Sequence, residues 1–183
     1  MHVRSRWRLP AIAVIAMLAF VACGKGQAHF DGNGISFDYP SNWHVIEGTQ
    51  PVPSASGPTR MQVGFDQNNA AVVVITHLSK PVTAKDFQAT EGALIQVIQQ
   101  GAQRRGGTLS SPAPTTLGGL AAFTITVSDV REPTGAVVSS RLVVAIQGAI
   151  EYFVNCEYTA DHVDDIQKGC DDVVQTFQIT GSA

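Results

Sequence analysis

The most regular feature of the sequence is an alternation of apolar and polar residues, which is typical of half-buried β-strands. The clearest alternating or β-rich segments are residues 61–65, 71–78, 123–127, 136–147 and 149–158. Only Gly148 separates the last two segments, so we expect two strands joined by a tight connection there. Turn sequences at Asn33-Gly34, residues 66–69 and residues 132–135 also join apolar segments. The strands are therefore predicted to pair as hairpins in a mainly antiparallel sheet.

Two other segments have helical spacing. The first carries an apolar stripe formed by Phe87, Leu94, Ile95, Ile98 and Ala102. Thr83 and Asp86 resemble a shortened capping box, which predicts that this helix begins near Ala84; Gly106-Gly107 should stop it. A second helix is predicted from Asp161 to about Thr176.

These elements together predict an α+β domain, in which one long helix and a C-terminal helix pack on the sheet. Residues 50–59 and 106–119 are rich in Pro, Ser, Gly and Thr and are predicted to be loops. The sequence has no internal repeat and no marked linker, so residues 28–181 are predicted to form a single domain.

The N-terminus has a different pattern, which indicates export. Arg4, Arg6 and Arg8 precede a short apolar run, and the sequence Phe20-Val21-Ala22-Cys23 ends it. This order is typical of a bacterial lipoprotein signal peptide, so residues 1–22 are predicted to be removed and Cys23 to be acylated. Residues 23–27 would then be the lipidated tether of a protein on the extracytoplasmic face of the cell membrane.

Phe20 stands where an aliphatic residue, usually leucine, is expected before a lipidated cysteine. An ordinary secretory signal cleaved near Ala22 is therefore an alternative, and an uncleaved apolar helix is another. The apolar run is shorter than the roughly 20 residues that span a bilayer comfortably.

Removal of the signal changes the charge of the protein. Three of the twelve basic residues and none of the fifteen acidic residues lie in residues 1–22, so the remaining chain has a net charge near −6. An acidic domain of this kind lacks the positive surface that nucleic acids require, and we expect no nucleic-acid partner.

The two remaining cysteines, Cys156 and Cys170, are predicted to form a disulfide. Cys156 alternates in phase with apolar residues of the last predicted strand, and Cys170 lies on the apolar stripe of the last predicted helix. An even pair in an oxidising compartment is most simply a disulfide. Metal ligation and redox catalysis are the alternatives, but the sequence has neither a Cys-x-x-Cys motif nor a histidine at ligand spacing.

The sequence offers little that points to catalysis. It contains no nucleophile elbow and no phosphate-binding loop, and no catalytic residue, cofactor or metal site is predicted. The acidic cluster at residues 161–165 suits the start of a helix, and Asp171 and Asp172 should lie on its outer face. His77 shares strand parity with apolar neighbours and should be partly buried, whereas His44 should lie at the surface.

One apolar group is a candidate ligand site. Leu94, Ile95 and Ile98 on the first helix face the predicted sheet, where they could line a cavity for a lipid or another hydrophobic ligand. The alternative is that they simply fill the core, as the apolar stripe of any packed helix does.

Two motifs resemble a known family. The stretch GISFDYPSNWHV, from Gly34 to Val45, resembles the opening of PsbP-like domains, and TLGGLAAFTITVS, from Thr116, resembles their entry into a long strand. The C-terminal part with Cys156, Cys170 and Phe177 resembles actinobacterial LpqN-type lipoproteins. The resemblance extends over most of residues 28–180. It implies a curved antiparallel sheet with helices packed on its faces, and an accessory or binding role without a shared catalytic motif.

The expected function is therefore that of a membrane-anchored, non-catalytic accessory or binding module. The membrane would be reached through the lipid on Cys23, and the partner would be an envelope protein or an apolar envelope component. An extracytoplasmic enzyme whose site is dispersed along the sequence is the alternative, and a purely structural domain is a third hypothesis.

Overall fold

A computed structural model describes residues 26–46, 58–83 and 85–181. The predicted signal peptide, Cys23, most of the predicted loop at 50–59 and the predicted helix start at Ala84 lie outside these residues. Two antiparallel sheets and two α-helices form the described part of the chain. The α+β class and the mainly antiparallel sheet are confirmed.

The smaller sheet has the strand order β1-β2-β10, and the larger sheet has the order β3-β4-β5-β9-β8-β6, with β7 also paired to β8. The strands are β1 Gln27–Gly32, β2 Ile35–Pro40, β3 His44–Val45, β4 Thr59–Asp66, β5 Asn69–Val82, β6 Thr108–Leu109, β7 Ala113–Leu117, β8 Leu120–Arg131, β9 Val137–Tyr158 and β10 Gln178–Ile179. The helices are α1 Phe87–Arg104 and α2 Val163–Thr176, and a short 3₁₀ helix at Ala160–His162 precedes α2.

The two faces of the larger sheet bury separate hydrophobic cores. On the face that we call the α2 face, α2 and the smaller sheet cover Tyr152, Val154 and Cys156. On the opposite face, the α1 face, the apolar stripe of α1 packs over Phe123, Leu142 and other residues of β8 and β9. The strict alternation of β-strand side chains allows one strand to supply both cores.

The prediction of two strands around Gly148 is wrong. Residues 137–158 form one continuous strand, whose first half pairs with β8 and whose second half pairs with β5. Before Gly148, even-numbered residues such as Leu142 and Val144 face α1. After Gly148, odd-numbered residues such as Phe153 face α1 instead. Gly148 has a φ of +60°. An irregularity at this glycine therefore shifts the alternation by one residue and keeps both apolar sets on their proper faces.

The first helix begins later than the sequence predicts. Asp86 is the N-cap of α1, and its carboxylate accepts a 2.6 Å hydrogen bond from the hydroxyl of Thr83 instead of capping a helical N–H. Thr83 and Asp86 therefore close a turn before the helix instead of forming a capping box. The predicted loop at 106–119 is also wrong in part, because β6 and β7 lie within it and pair with β8.

The predicted turns are confirmed. Asn33 and Gly34 both have positive φ and connect β1 to β2. Gly118 and Gly119 have φ values of +58° and +80° in the β7–β8 connection, where side chains other than glycine are strained. The end of α2 at Thr176 also agrees with the prediction.

Candidate functional site

A cavity of about 210 Å³ lies between α1 and the α1 face of the larger sheet, and we call it the α1 cleft. Helix α1 contributes Ile98, Gly101, Ala102 and, just past its end, Arg105. The sheet contributes an apolar wall and a polar end. These lining residues are Val127, Val130, Glu132, Val138, Ser140, Leu142, Phe153, Asn155 and Glu157.

The three apolar residues predicted as a ligand site divide between two roles. Leu94, Ile95 and Ile98 are all half-buried and pack against the core on the α1 face. Of the three, Ile98 alone lines the α1 cleft. The stripe therefore both fills core and provides one wall of a cavity, and binding of a ligand there stays a prediction.

Asn155 forms the polar end of the α1 cleft. Its side-chain oxygen is buried and accepts no hydrogen bond from any residue that the structure describes. A buried acceptor without a donor costs about 1–3 kcal/mol. The amide of Asn155 is therefore suited to a ligand group that donates a hydrogen bond.

Glu157 lies two residues further along the same face of β9. Burial raises the pKa of this carboxyl above its usual value, and the negative charge of Glu132 raises it further, against smaller opposing effects of Arg60 and Arg105. Burial also raises the pKa of Glu151 on the same strand. At the rim, Arg105 and Glu132 form an ion pair of 2.8 Å.

Sequence reasoning missed Asn155 and Glu157. Both alternate with the apolar residues of β9, so they matched the pattern of solvent-facing polar positions. One sequence feature could have revealed them. Phe153 is a large apolar residue that shares its face of β9 with Asn155 and Glu157, and it does not belong to the α2-face core. Its presence indicates that this face is also covered.

A second, larger concavity of about 620 Å³ opens beside α2, and we call it the Trp43 cleft. Trp43, Phe65 and Pro40 line it together with polar residues of α2 and of the β2–β3 connection. Trp43 is buried in the α2-face core. The tryptophan of the Tyr-Pro-x-x-Trp stretch therefore packs in the core.

The predicted disulfide is present in the structure. Cys156 on β9 and Cys170 on α2 are bonded, with their Cα atoms 6.0 Å apart, and both are buried. The bond joins α2 to the central strand of the larger sheet. Cys23 lies outside the described residues, so its acylation stays a prediction.

Two predictions about polar residues need correction. His77 is exposed, because it lies where the pairing of β5 with β9 ends and an open concavity begins. Asp172 is half-buried at the Trp43 cleft, whereas Asp171 is exposed and forms a 2.7 Å ion pair with Arg141. His44 is exposed, as predicted.

No group of three or more His, Cys, Asp or Glu residues in residues 26–46, 58–83 and 85–181 is placed to hold a metal ion. In those same residues, neither helix combines the length and the hydrophobicity needed to span a bilayer.

No protein-family model matches the sequence, and no curated protein matches it. Solved structures do match. The solution structure of cyanobacterial PsbP from Synechocystis sp. PCC 6803 is 13% identical with a TM-score of 0.59, over 86% of this chain and 95% of that one. A crystal structure from Bacteroides thetaiotaomicron VPI-5482 is 15% identical with a TM-score of 0.54, over 87% of this chain and 50% of that one.

A third match is LpqN of Mycobacterium tuberculosis, described as involved in cell envelope biogenesis. It is 17% identical with a TM-score of 0.48, over 85% of this chain and 90% of that one. The match to the cyanobacterial protein covers 86% of this chain and 95% of that one, and the described residues form a mainly antiparallel α+β fold with two α-helices. The described domain therefore has a PsbP-like fold.

Proposed function

We propose that this protein is a lipid-anchored, non-catalytic binding module on the extracytoplasmic face of a bacterial membrane. Its ligand is a small apolar group with a hydrogen-bond donor at one end, carried by an envelope component and held in the α1 cleft. The accessory role implied by the resemblance to PsbP-like domains agrees with this proposal.

The observation that carries the proposal is the oxygen of Asn155, which is buried at the polar end of the α1 cleft and unpaired among the described residues. Native proteins satisfy nearly all buried polar groups, so an unsatisfied one calls for an explanation. A hydroxyl or ammonium group on the ligand would donate to this oxygen. Ile98, Leu142 and Phe153 would surround the apolar part.

The size of the α1 cleft limits the ligand. An apolar cavity of about 150 Å³ accommodates benzene. The α1 cleft, at about 210 Å³, therefore has room for one ring with a short polar substituent, or for a short alkyl chain. A whole membrane lipid would not fit, so we propose that only one end of the bound component enters.

Helix α1 is the wall that would move to admit a ligand. Ala102 is the only one of its residues from Phe87 to Arg104 that is fully buried, and Val97 is 66% exposed. Elements with few buried contacts open at lower free energy than the rest of a domain. The opposite wall is the larger sheet, whose other face is fixed by α2 and the disulfide.

The proposed anchor is the acylated Cys23. The carbonyl oxygen of Gly26 accepts a hydrogen bond from the amide of Ser41, which directly follows β2. That point belongs to the layer that covers the α2 face, so α1 lies on the other side of the larger sheet. An anchor at Cys23 would therefore leave the α1 cleft accessible to envelope components away from the bilayer surface.

The anchor is tested by replacing Cys23 with Ser and separating the membrane and soluble fractions. Release of the variant from the membrane is expected, because the acyl chains would be lost. Retention of the variant in the membrane fraction would mean that the apolar segment itself holds the protein.

The α1 cleft is tested with benzyl alcohol, which has one ring and one hydroxyl donor. We expect a Kd of about 1 mM. The Ala102→Leu variant should lose this binding because the larger side chain fills the cavity. The matched control Ala93→Leu, on an exposed position of α1, should bind normally. Equal binding to both variants, or none to the wild type, would contradict the proposed site.

The raised pKa of Glu157 favours a second candidate function, an extracytoplasmic enzyme in which this carboxyl acts as an acid. The two candidates are distinguished by incubating an envelope lipid extract with wild-type protein and with the Glu157→Gln variant. Mass spectrometry should find the extract chemically unchanged by either protein if the function is binding. A product formed by the wild type alone would establish the enzyme.

A further inference from the structure

We infer that the Trp43 cleft binds the phosphoethanolamine headgroup of a membrane phospholipid. This inference rests on the lipid anchor in the proposed function, but it concerns a different site from the α1 cleft. The two concavities lie on opposite faces of the larger sheet.

The first argument is the position of the cleft along the chain. Gly26 and Gln27 line it, and the amide of Ser41 donates a 2.9 Å hydrogen bond to the carbonyl of Gly26. Cys23 is three residues before Gly26, and three residues span at most about 11 Å. A lipid on Cys23 would therefore hold Gly26, at the edge of the Trp43 cleft, within about 11 Å of the acylated cysteine at the bilayer surface.

The second argument is the shape of the cleft. Its volume of about 620 Å³ falls within the usual range for ligand pockets, about 300–1,000 Å³. Trp43, Pro40 and Phe65 form an apolar floor, and the rings of Trp43 and Phe65 meet edge to face with centroids 6.1 Å apart. Such a floor suits the glycerol and first methylene groups that follow a headgroup.

The third argument is the charge at the rim. Lys168 and the carboxylates of Asp165 and Asp172 all line the cleft. None of the three forms an ion pair with any residue in the described part of the chain, whereas the adjacent Asp171 is paired with Arg141. Among the described residues, the rim therefore offers one cation and two anions that are not engaged in ion pairs.

This set of charges matches one headgroup class. A phosphate would bind Lys168, and a primary ammonium could donate hydrogen bonds to Asp165 or Asp172. Choline has the same charge as ethanolamine but no N–H donor. Glycerol headgroups carry the phosphate without any cation, and the two carboxylates would repel that net negative charge.

Fluorescence provides a direct measurement. The sequence contains two tryptophans, Trp7 and Trp43, so the processed protein has Trp43 alone. Its emission therefore reports on the proposed site. The processed, lipidated protein in neutral detergent is titrated with water-soluble glycerophosphoethanolamine, and separately with glycerophosphocholine, glycerophosphoglycerol and inorganic phosphate.

We expect a saturable change in Trp43 emission with glycerophosphoethanolamine, and binding of the other three compounds that is weaker by about tenfold or more. Lys168→Gln and Asp165→Asn should each weaken the ethanolamine response by a similar factor. Asp164→Asn is the matched control, because Asp164 is exposed on the same helix and does not line the cleft. Thermal unfolding of each variant checks that it is folded.

Three results would overturn the inference: no response to glycerophosphoethanolamine, an equal response to all four compounds, or an unchanged response in Lys168→Gln and Asp165→Asn. The titration uses detergent-solubilised protein and soluble compounds, so it reports binding in the Trp43 cleft and not attachment to a membrane. Failure of the anchor would instead appear as retention of the Cys23→Ser variant in the membrane fraction.

Discussion

Replacement of Gly169 by Ala should destabilise the protein, even though alanine is the better helix former. Gly169 is buried in α2, directly beneath the indole ring of Trp43. A Cβ atom at this position would lie well under 3.0 Å from Cζ2 and Cη2 of Trp43, and 2.9 Å from Cγ of Pro40. Optimal separations of carbon atoms are about 3.5–4.0 Å, so the ring or the helix must move.

Two opposing terms set the magnitude. Alanine in place of glycine within a helix favours folding by about 1 kcal/mol. Overpacking a core costs about 1–3 kcal/mol, occasionally more. The close contact involves the edge of the six-membered ring of Trp43, which is buried and rigid, rather than the end of a flexible side chain. The overpacking cost should therefore lie near the upper limit of that range. We expect a net loss of about 1–2 kcal/mol and a fall in Tm of about 2–8 °C.

Gly92→Ala in α1 is the matched control. A Cβ atom there meets nothing within 4 Å, so only the helix-propensity term applies and the variant should gain about 1 kcal/mol. Urea unfolding, monitored by far-UV circular dichroism, gives the free energy of unfolding of both variants. A change in Trp43 emission would report displacement of its ring in Gly169→Ala. A Gly169→Ala variant as stable as Gly92→Ala would refute the close packing of α2 on Trp43.

Three further predictions concern β9 and its bond to α2. Burial raises the pKa of Glu157 above 4.5 in the folded protein, so ionisation of this carboxyl opposes folding. The free energy of unfolding should therefore rise as the pH falls from the raised pKa towards 4.5. Urea unfolding measured across this pH range should show a smaller rise for the Glu157→Gln variant. An equal rise in both proteins would contradict this. Asn155→Leu should stabilise the protein by about 1–3 kcal/mol in urea unfolding, because the unpaired buried oxygen is removed; a destabilised variant would show that the oxygen has a partner. Replacing both Cys156 and Cys170 by Ala should cost about 3 kcal/mol, since their separation of 14 residues closes a short loop. Unchanged stability in that double variant would mean that the bond does not constrain the unfolded chain.

Local periodicity was sufficient to predict much of the fold. The alternation in β9 placed Cys156 on a buried face, and the helical stripe of α2 placed Cys170 opposite it. Because each pattern fixes the direction of a side chain, together they predicted the disulfide. The turn at Asn33-Gly34 was predictable for the same reason, since its residue types suit positive φ.

Features that depend on tertiary contacts could not be predicted in this way. Gly148 resembled a turn, and only the pairing of β9 with both β8 and β5 makes it an irregularity within one strand. Asn155 and Glu157 matched exposed positions until α1 covered their face of the sheet. The helical side of the candidate site was therefore predictable at Ile98 and Ala102, which both belong to the apolar stripe of α1.

The most direct test of the central proposal is to locate benzyl alcohol on the protein by NMR. Intermolecular nuclear Overhauser effects should connect its ring protons to the methyl groups of Ile98 and Leu142, which line the α1 cleft. The Ala102→Leu variant should show none of these effects. Contacts only to residues outside the α1 cleft, such as Trp43, or no contacts at all, would contradict the proposal that this cavity is the binding site.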